Sequence, residues 1–185
     1  MFNVIVTAPH SLCVDDIEER HCDRVAYFAA SNLVSMFSNI YSMSFFPSNT
    51  LRSDIDLNRF PSRETSYRQS ILSNLLNSQN ADLVLDVHSF PRGGFSGTGE
   101  EDSEITILDE TPGTWYGKLL YEILSQKGID VSYLLGDRND IVTLAREYGI
   151  PAILIEYSEL LNSERIKEIN LAIGYYIELI RRKTY

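Results

Sequence analysis

Apolar residues in this chain fall into two alternating rhythms. Short unbroken runs of strand length occupy Phe2–Thr7, Leu83–Val87, Ile105–Leu108, Val131–Leu135 and Ala152–Ile155, with a weaker one at Tyr41–Phe46. Between them the apolar positions step by three and four. The spacing predicts helices over Asp16–Phe37 (Val25, Phe28, Ala29, Leu33, Met36), Glu64–Leu76 (Tyr67, Ile71, Leu72, Leu75, Leu76), Trp115–Leu124, Ile141–Tyr148 and Ser163–Arg182 (Ile166, Ile169, Ile173, Ile177, Ile180). Runs without polar alternation suit strands covered on both faces, and strand–helix alternation suits layers. The expected fold is an α/β three-layer sandwich, a mostly parallel or mixed sheet flanked by helices. The 185 residues, 1–185, are expected to form one domain that buries roughly 70% of its unfolded surface.

Charge narrows the partners. A formal net charge of −10 disfavours nucleic acid and anionic membrane as binding surfaces. No apolar run approaches the roughly 18 residues that cross a bilayer. The N-terminus, MFNVIVTAPH, reads straight into a strand without a basic leader. Cys13 and Cys22 are too few for a disulfide framework, and their spacing is unlike a zinc knuckle. Two reduced thiols in a cytoplasmic protein are the expectation. The pattern specifies no oligomeric state.

In open α/β sheets, ligands bind beyond the carboxyl ends of strands, and polar groups gather at those ends here. His10 follows the first strand in APHS, His88 closes LDVHS, and Glu156 ends AILIE. Any one of them is an ordinary boundary residue. Two imidazoles and a carboxylate on one sheet edge suit a catalytic zinc, which keeps three protein ligands and one open position. One Zn²⁺ per chain is expected, held by His10, His88 and a carboxylate, with Glu156 nearby. The third ligand falls in the acidic stretch VDDIEERHCD, residues 14 to 23, where Glu18, Glu19 and Asp23 compete and His21 is a further possibility.

The segment LRSDIDLNRF, residues 51 to 60, is too polar for a core strand and lacks a helical period. With APHS at 8 to 11, EERHCD at 18 to 23, RSDIDLNR at 52 to 59, LDVHSFP and GIPAILIEYS, it resembles the zinc carboxypeptidase-like superfamily, which has a phosphorylase/hydrolase-like fold. Within that superfamily it resembles the N-formylglutamate amidohydrolase branch. The HxxE motif of true carboxypeptidases is absent, because Cys13 stands three residues after His10.

The resemblance implies a zinc-dependent amidohydrolase. Glu19 would be the third ligand, with Asp23 its closest rival, and Glu156 the proton carrier. Arg52 would stabilise the oxyanion, and Asn58 with Arg59 would hold a substrate carboxylate. An Arg fork matches a carboxylate bidentately. Asp54 and Asp56 would orient these guanidinium groups. Arg138, in LGDRNDIV, is a second anion clamp, or else its neighbours Asp137 and Asn139 only cap a helix. The expected partner is a small carboxylate-bearing molecule, an N-acyl amino acid such as N-formylglutamate. A zinc carboxypeptidase, a peptidoglycan amidase or an inactive carboxylate-binding relative are the alternatives. The Gly-rich stretch 90–104 after His88 reads as a lid or a plain connection.

Overall fold

In the computed structural model the described residues are 1–13, 22–51, 54–58, 65–77, 81–91, 103–109, 115–135 and 141–184. They form strands β1 (Asn3–Ala8), β2 (Ser42–Pro47), β3 (Leu83–Phe90), β4 (Ile105–Asp109), β5 (Val131–Leu135) and β6 (Ala152–Ser158). The helices are α1 (Ala26–Phe37), α2 (Ser66–Asn77), α3 (Trp115–Gln126), α4 (Ile141–Glu147) and α5 (Ser163–Thr184). The six strands make one sheet in the order β2-β1-β3-β6-β4-β5. β1, β2, β3 and β6 pair in parallel, and β4 joins β6 antiparallel with β5 parallel to it. The fold is therefore a mixed-sheet α/β sandwich. The carboxyl end of β5 lies on the opposite sheet edge from those of β1, β3 and β6.

Alternation along the strands sorts their side chains onto two faces. Val4, Val6, Leu83, Leu85, Ile105, Ile107, Ile153 and Ile155 pack with the buried stripes of α1, α3 and α5. Ile5, Val84, Leu108 and Leu154 pack with α2 and α4. By the same period Thr7, Asp86, His88, Thr106 and Glu156 share the face toward α2 and α4, and all five are buried. That face is apolar at the amino end of β3 and β6 and polar at the carboxyl end, so the sequence switches character within single strands.

The structure departs from the sequence expectation at the start of α1, at the ends of β3 and β6, and at the cysteines. Helix α1 begins at Ala26, because residues 22–25 form a turn closed by Ala26 N–H donating to the Asp23 carbonyl at 3.2 Å. β3 and β6 both run past their polar residues, so His88 and Glu156 lie inside paired strands, not beyond them. Cys13 and Cys22 are not reduced thiols but a disulfide, with Cα atoms 5.5 Å apart. The Asp23 N–H donates to the His10 carbonyl at 3.0 Å, which returns the chain to its starting point and brings the two cysteines together. Disulfides persist mainly in oxidising compartments, so thiol chemistry no longer argues for the cytoplasm. Among the described residues, no helix is long and apolar enough to cross a membrane.

Gly174 lets α1 and α5 approach: a Cβ there would overlap the Phe37 ring. In an open helix Gly→Ala stabilises by about 1 kcal/mol. Here Gly174→Ala is expected to cost about 1–3 kcal/mol through overpacking. In a Phe37→Ala background the same change is expected to become stabilising. Urea unfolding of the four proteins checks the reversal of sign.

Candidate metal centre

Two imidazoles meet at the carboxyl edge of β1 and β3. His10 lies two residues past β1 and His88 within β3, and their ring centroids are 4.8 Å apart at 71°. The residue between them is Asp23, at the turn before α1. Its Oδ2 is 2.8 Å from His88 Nδ1 and 3.4 Å from His10 Nδ1. All three side chains are buried, at 3%, 4% and 5% exposure for His10, His88 and Asp23.

The far nitrogens are anchored by other carboxylates. His10 Nε2 sits 2.7 Å from Asp56 Oδ1, which also accepts the Asn58 N–H at 3.0 Å. His88 Nε2 lies 3.1 Å from Asp86 Oδ2, and Thr7 Oγ1 donates to the other oxygen of Asp86 at 2.5 Å. Asp86 and His88 are two apart on one strand, so the pleat itself presents both on one face. The two rings thus turn Nε2 toward fixed carboxylates and Nδ1 toward Asp23. This is the orientation that metal-ligating histidines take when a carboxylate holds the remote nitrogen.

Burial alone would raise the Asp23 pKa, but hydrogen bonds and charge from His10 and His88 more than offset it and lower it to about 2. His88 shows the reverse balance. Burial would depress it, yet Asp86 and then Asp23 hold it well above the ordinary histidine value of 6.5.

Whether these residues fit a metal is tested by one atom. His10 Nδ1 is buried, and its contact with Asp23 Oδ2 is long, at 3.4 Å, and poorly aligned for a hydrogen bond. A buried nitrogen so weakly satisfied is costly, and a cation between it and Asp23 would bind both. His10, Asp23 and His88 offer ligand atoms that all lie within 4.8 Å of one another. Two imidazole nitrogens and one carboxylate oxygen are a donor set suited to a catalytic zinc. Asp56 and Asp86 add carboxylates that face the remote nitrogens of the two imidazoles, as the outer partners of metal-ligating histidines do.

Glu156 stands directly across the ladder from His88, on the same face, at 6% exposure. Its register partner on the other side is Thr106, whose Oγ1 is 3.2 Å from Ser103 Oγ. Asn58, expected to hold a substrate carboxylate, turns its amide inward. Its Oδ1 accepts the Ile141 N–H at 2.9 Å, capping α4, and its Nδ2 lies 3.0 Å from His88 Nε2. Asp56, expected to orient the Arg52 and Arg59 guanidinium groups, holds the His10 ring; the two arginines lie outside the described residues.

Glu19, Arg52, Arg59 and Arg138, with Glu18 and His21, lie outside the described residues. The carboxylate found between the imidazoles is Asp23, which the sequence reading ranked second. Asp86 was missed. Its signal was present, since the D-x-H spacing inside an apolar strand places both residues on one face.

No family model matches the chain, and no curated protein matches it. Solved structures do. The chain resembles the CwlD amidase of Clostridioides difficile, solved in complex with the GerS lipoprotein, at 15% identity and TM-score 0.67, covering 98% of this chain and 99% of that one. It resembles the N-acetylmuramoyl-L-alanine amidase AmiC2 of Nostoc punctiforme at 11% identity and TM-score 0.63, covering 98% and 97%. It also resembles gene product Atu2144 of Agrobacterium tumefaciens at 17% identity and TM-score 0.66, covering 97% and 89%. At such identities the likeness is one of fold, shared with the two amidases and with the Agrobacterium protein.

The electrostatics predict how a metal competes with protons. Lowered in the folded state, the Asp23 pKa contributes stability above about 3.8 that is lost as pH falls toward about 2. Raised, the His88 pKa contributes stability below 6.5 that is lost as pH rises through its folded value. A divalent ion at Nδ1 must displace the His88 proton. Zinc binding to the metal-free protein at pH 7 is therefore expected to release a proton, and affinity should keep rising above pH 6.5, by up to about tenfold per unit per proton released. Calorimetry in buffers of different ionisation enthalpy checks this. Affinity that levels off at pH 6.5 contradicts it.

Proposed function

We propose that this chain is a zinc-dependent hydrolase of amide bonds that acts on a small N-acyl amino acid. The observation that carries the reading is the convergence of His10 Nδ1 and His88 Nδ1 on Asp23, with Glu156 one strand over. His10, Asp23 and His88 would hold the zinc. When bound there, zinc would supply a Lewis acid for the amide carbonyl and make water more acidic.

The chain's own groups supply the rest. Glu156 takes a proton from the attacking water at a carboxylate oxygen as the new C–O bond forms, and returns it to the leaving nitrogen as the C–N bond breaks. Asp56 and Asp86 keep both rings aimed during this exchange. From the resemblance of RSDIDLNR, Arg52 would stabilise the oxyanion and Arg59 would fix the substrate carboxylate, aligning the amide. Asn58 supports His88 and α4 from within, so the anion-binding role of the Asn-Arg pair falls to Arg59, with Arg138 as a further clamp. The partner on this reading is a carboxylate-bearing small molecule, not nucleic acid or membrane.

A peptidoglycan amidase is the second reading. It is favoured by the likeness in fold, over nearly the whole chain, to the CwlD amidase and to the N-acetylmuramoyl-L-alanine amidase AmiC2. Both readings share the centre and differ in the acyl side of the substrate.

Zinc-loaded protein is expected to release glutamate from N-formylglutamate faster than it releases peptide from purified muropeptides. The reverse order would transfer the assignment to the second reading. Glu156→Gln is expected to keep its zinc and lose about 10²–10⁴ in kcat on whichever substrate is turned over. Full turnover by that variant would refute the role given to Glu156.

A further inference from the structure

Asp23 has to be held in place, and the chain around it shows how. Val25, the residue at the N-cap of α1, makes no side-chain cap, so the first N–H groups of the helix need acceptors from elsewhere. Arg24 N–H donates to Glu159 Oε1 at 2.9 Å. Val25 N–H donates to Ser89 Oγ at 3.2 Å, and the Ser89 hydroxyl donates in turn to the same Glu159 Oε1 at 3.2 Å. Glu159 is itself fixed, because its N–H donates to the Phe90 carbonyl at 3.0 Å.

One carboxylate oxygen therefore ties the two residues after Asp23 to the ends of β3 and β6. Those are the strands that carry His88 and Glu156. On the other side of Asp23, its own N–H is bound to the His10 carbonyl and Cys22 is bonded to Cys13.

We infer that Glu159, acting with Ser89, is a positioning residue for Asp23: it clamps the turn before α1 to the sheet edge and so sets the affinity of the centre for its metal. This rests on the reading of Asp23 as a metal ligand. Glu159 touches neither imidazole in any hydrogen bond described, so its influence passes through the backbone of Arg24 and Val25. The ILIEYSE segment thus carries two glutamates with separate tasks, Glu156 facing the centre and Glu159 holding a ligand's turn.

The test measures zinc affinity by competition with a chromophoric chelator, and amide hydrogen exchange at Arg24 and Val25 in the zinc-free protein. Glu159→Ala is expected to weaken zinc by about 10–100-fold, the usual range for an outer partner of a metal ligand, and to speed both amides. Glu159→Gln keeps an acceptor oxygen and is expected to stay within about threefold of wild type, because a hydrogen bond and not a charge does the holding. Ser89→Ala, a milder variant, is expected to weaken zinc and speed the Val25 amide. Unchanged affinity in Glu159→Ala and Ser89→Ala overturns the inference. So does an equal loss in the Gln and Ala variants, which would make Glu159 an electrostatic contributor only. If wild type binds no zinc, the metal reading of the centre fails by itself. The clamp is then judged on exchange: faster amides in Glu159→Ala alone support it, and unchanged amides overturn it.

Discussion

A carboxylate held between two buried imidazoles is the constraint on which this structure turns. Leaving charges in an apolar layer is costly unless each is paired and hydrogen-bonded. Asp23, His10 and His88 satisfy that condition only as a set, with Asp56 and Asp86 closing the outer side. Each member comes from a different stretch of chain, so the sheet register must bring them together. Parallel pairing of β1 with β3 and of β3 with β6 aligns Thr7 with Asp86 and His88 with Glu156. A slip of one residue in β3 would turn Asp86 and His88 into the apolar layer beneath α1, α3 and α5.

The same constraint accounts for the layout of the α2 and α4 face. Its amino-terminal half is ordinary core, with Ile5, Val84 and Leu154 packed against Ile71, Val142 and Ala145. Its carboxyl-terminal half replaces these by Thr7, Asp86, His88 and Glu156, all buried. Asn58 bridges the two halves by capping α4 and touching His88 at once. The apolar layer supplies the stability, and the polar end of the same strands carries the candidate metal centre. The two imidazoles and Asp23 present a donor set that suits a divalent ion, which an ordinary core would not need.

The apolar runs made the six strands legible, because strands covered on both faces cannot hide polar alternation. They made His10 and His88 stand out too. The polar ends of β3 and β6 were read as strand boundaries, since Asp86, His88 and Glu156 break the apolar run just where pairing continues. The start of α1 was placed too early because the acidic stretch before Asp23 resembles a helical first turn. The place of Asp23 between the imidazoles follows from the return of the chain to the His10 carbonyl, a contact with no trace in local pattern. That return also made the disulfide, which a pair of cysteines nine apart does not announce. Arg52, Arg59 and Arg138 were legible only by resemblance, and their places are not among the described residues.

The most direct test of the central claim is a crystal structure of zinc-loaded protein with diffraction measured at the zinc edge. The geometry of the three side chains predicts a single strong anomalous peak about 2.0–2.2 Å from His10 Nδ1, His88 Nδ1 and a carboxylate oxygen of Asp23, with Asp56 and Asp86 still on the remote nitrogens. A peak held by Glu18 or Glu19 with Asp23 turned away, or no peak between the two imidazoles, would contradict it.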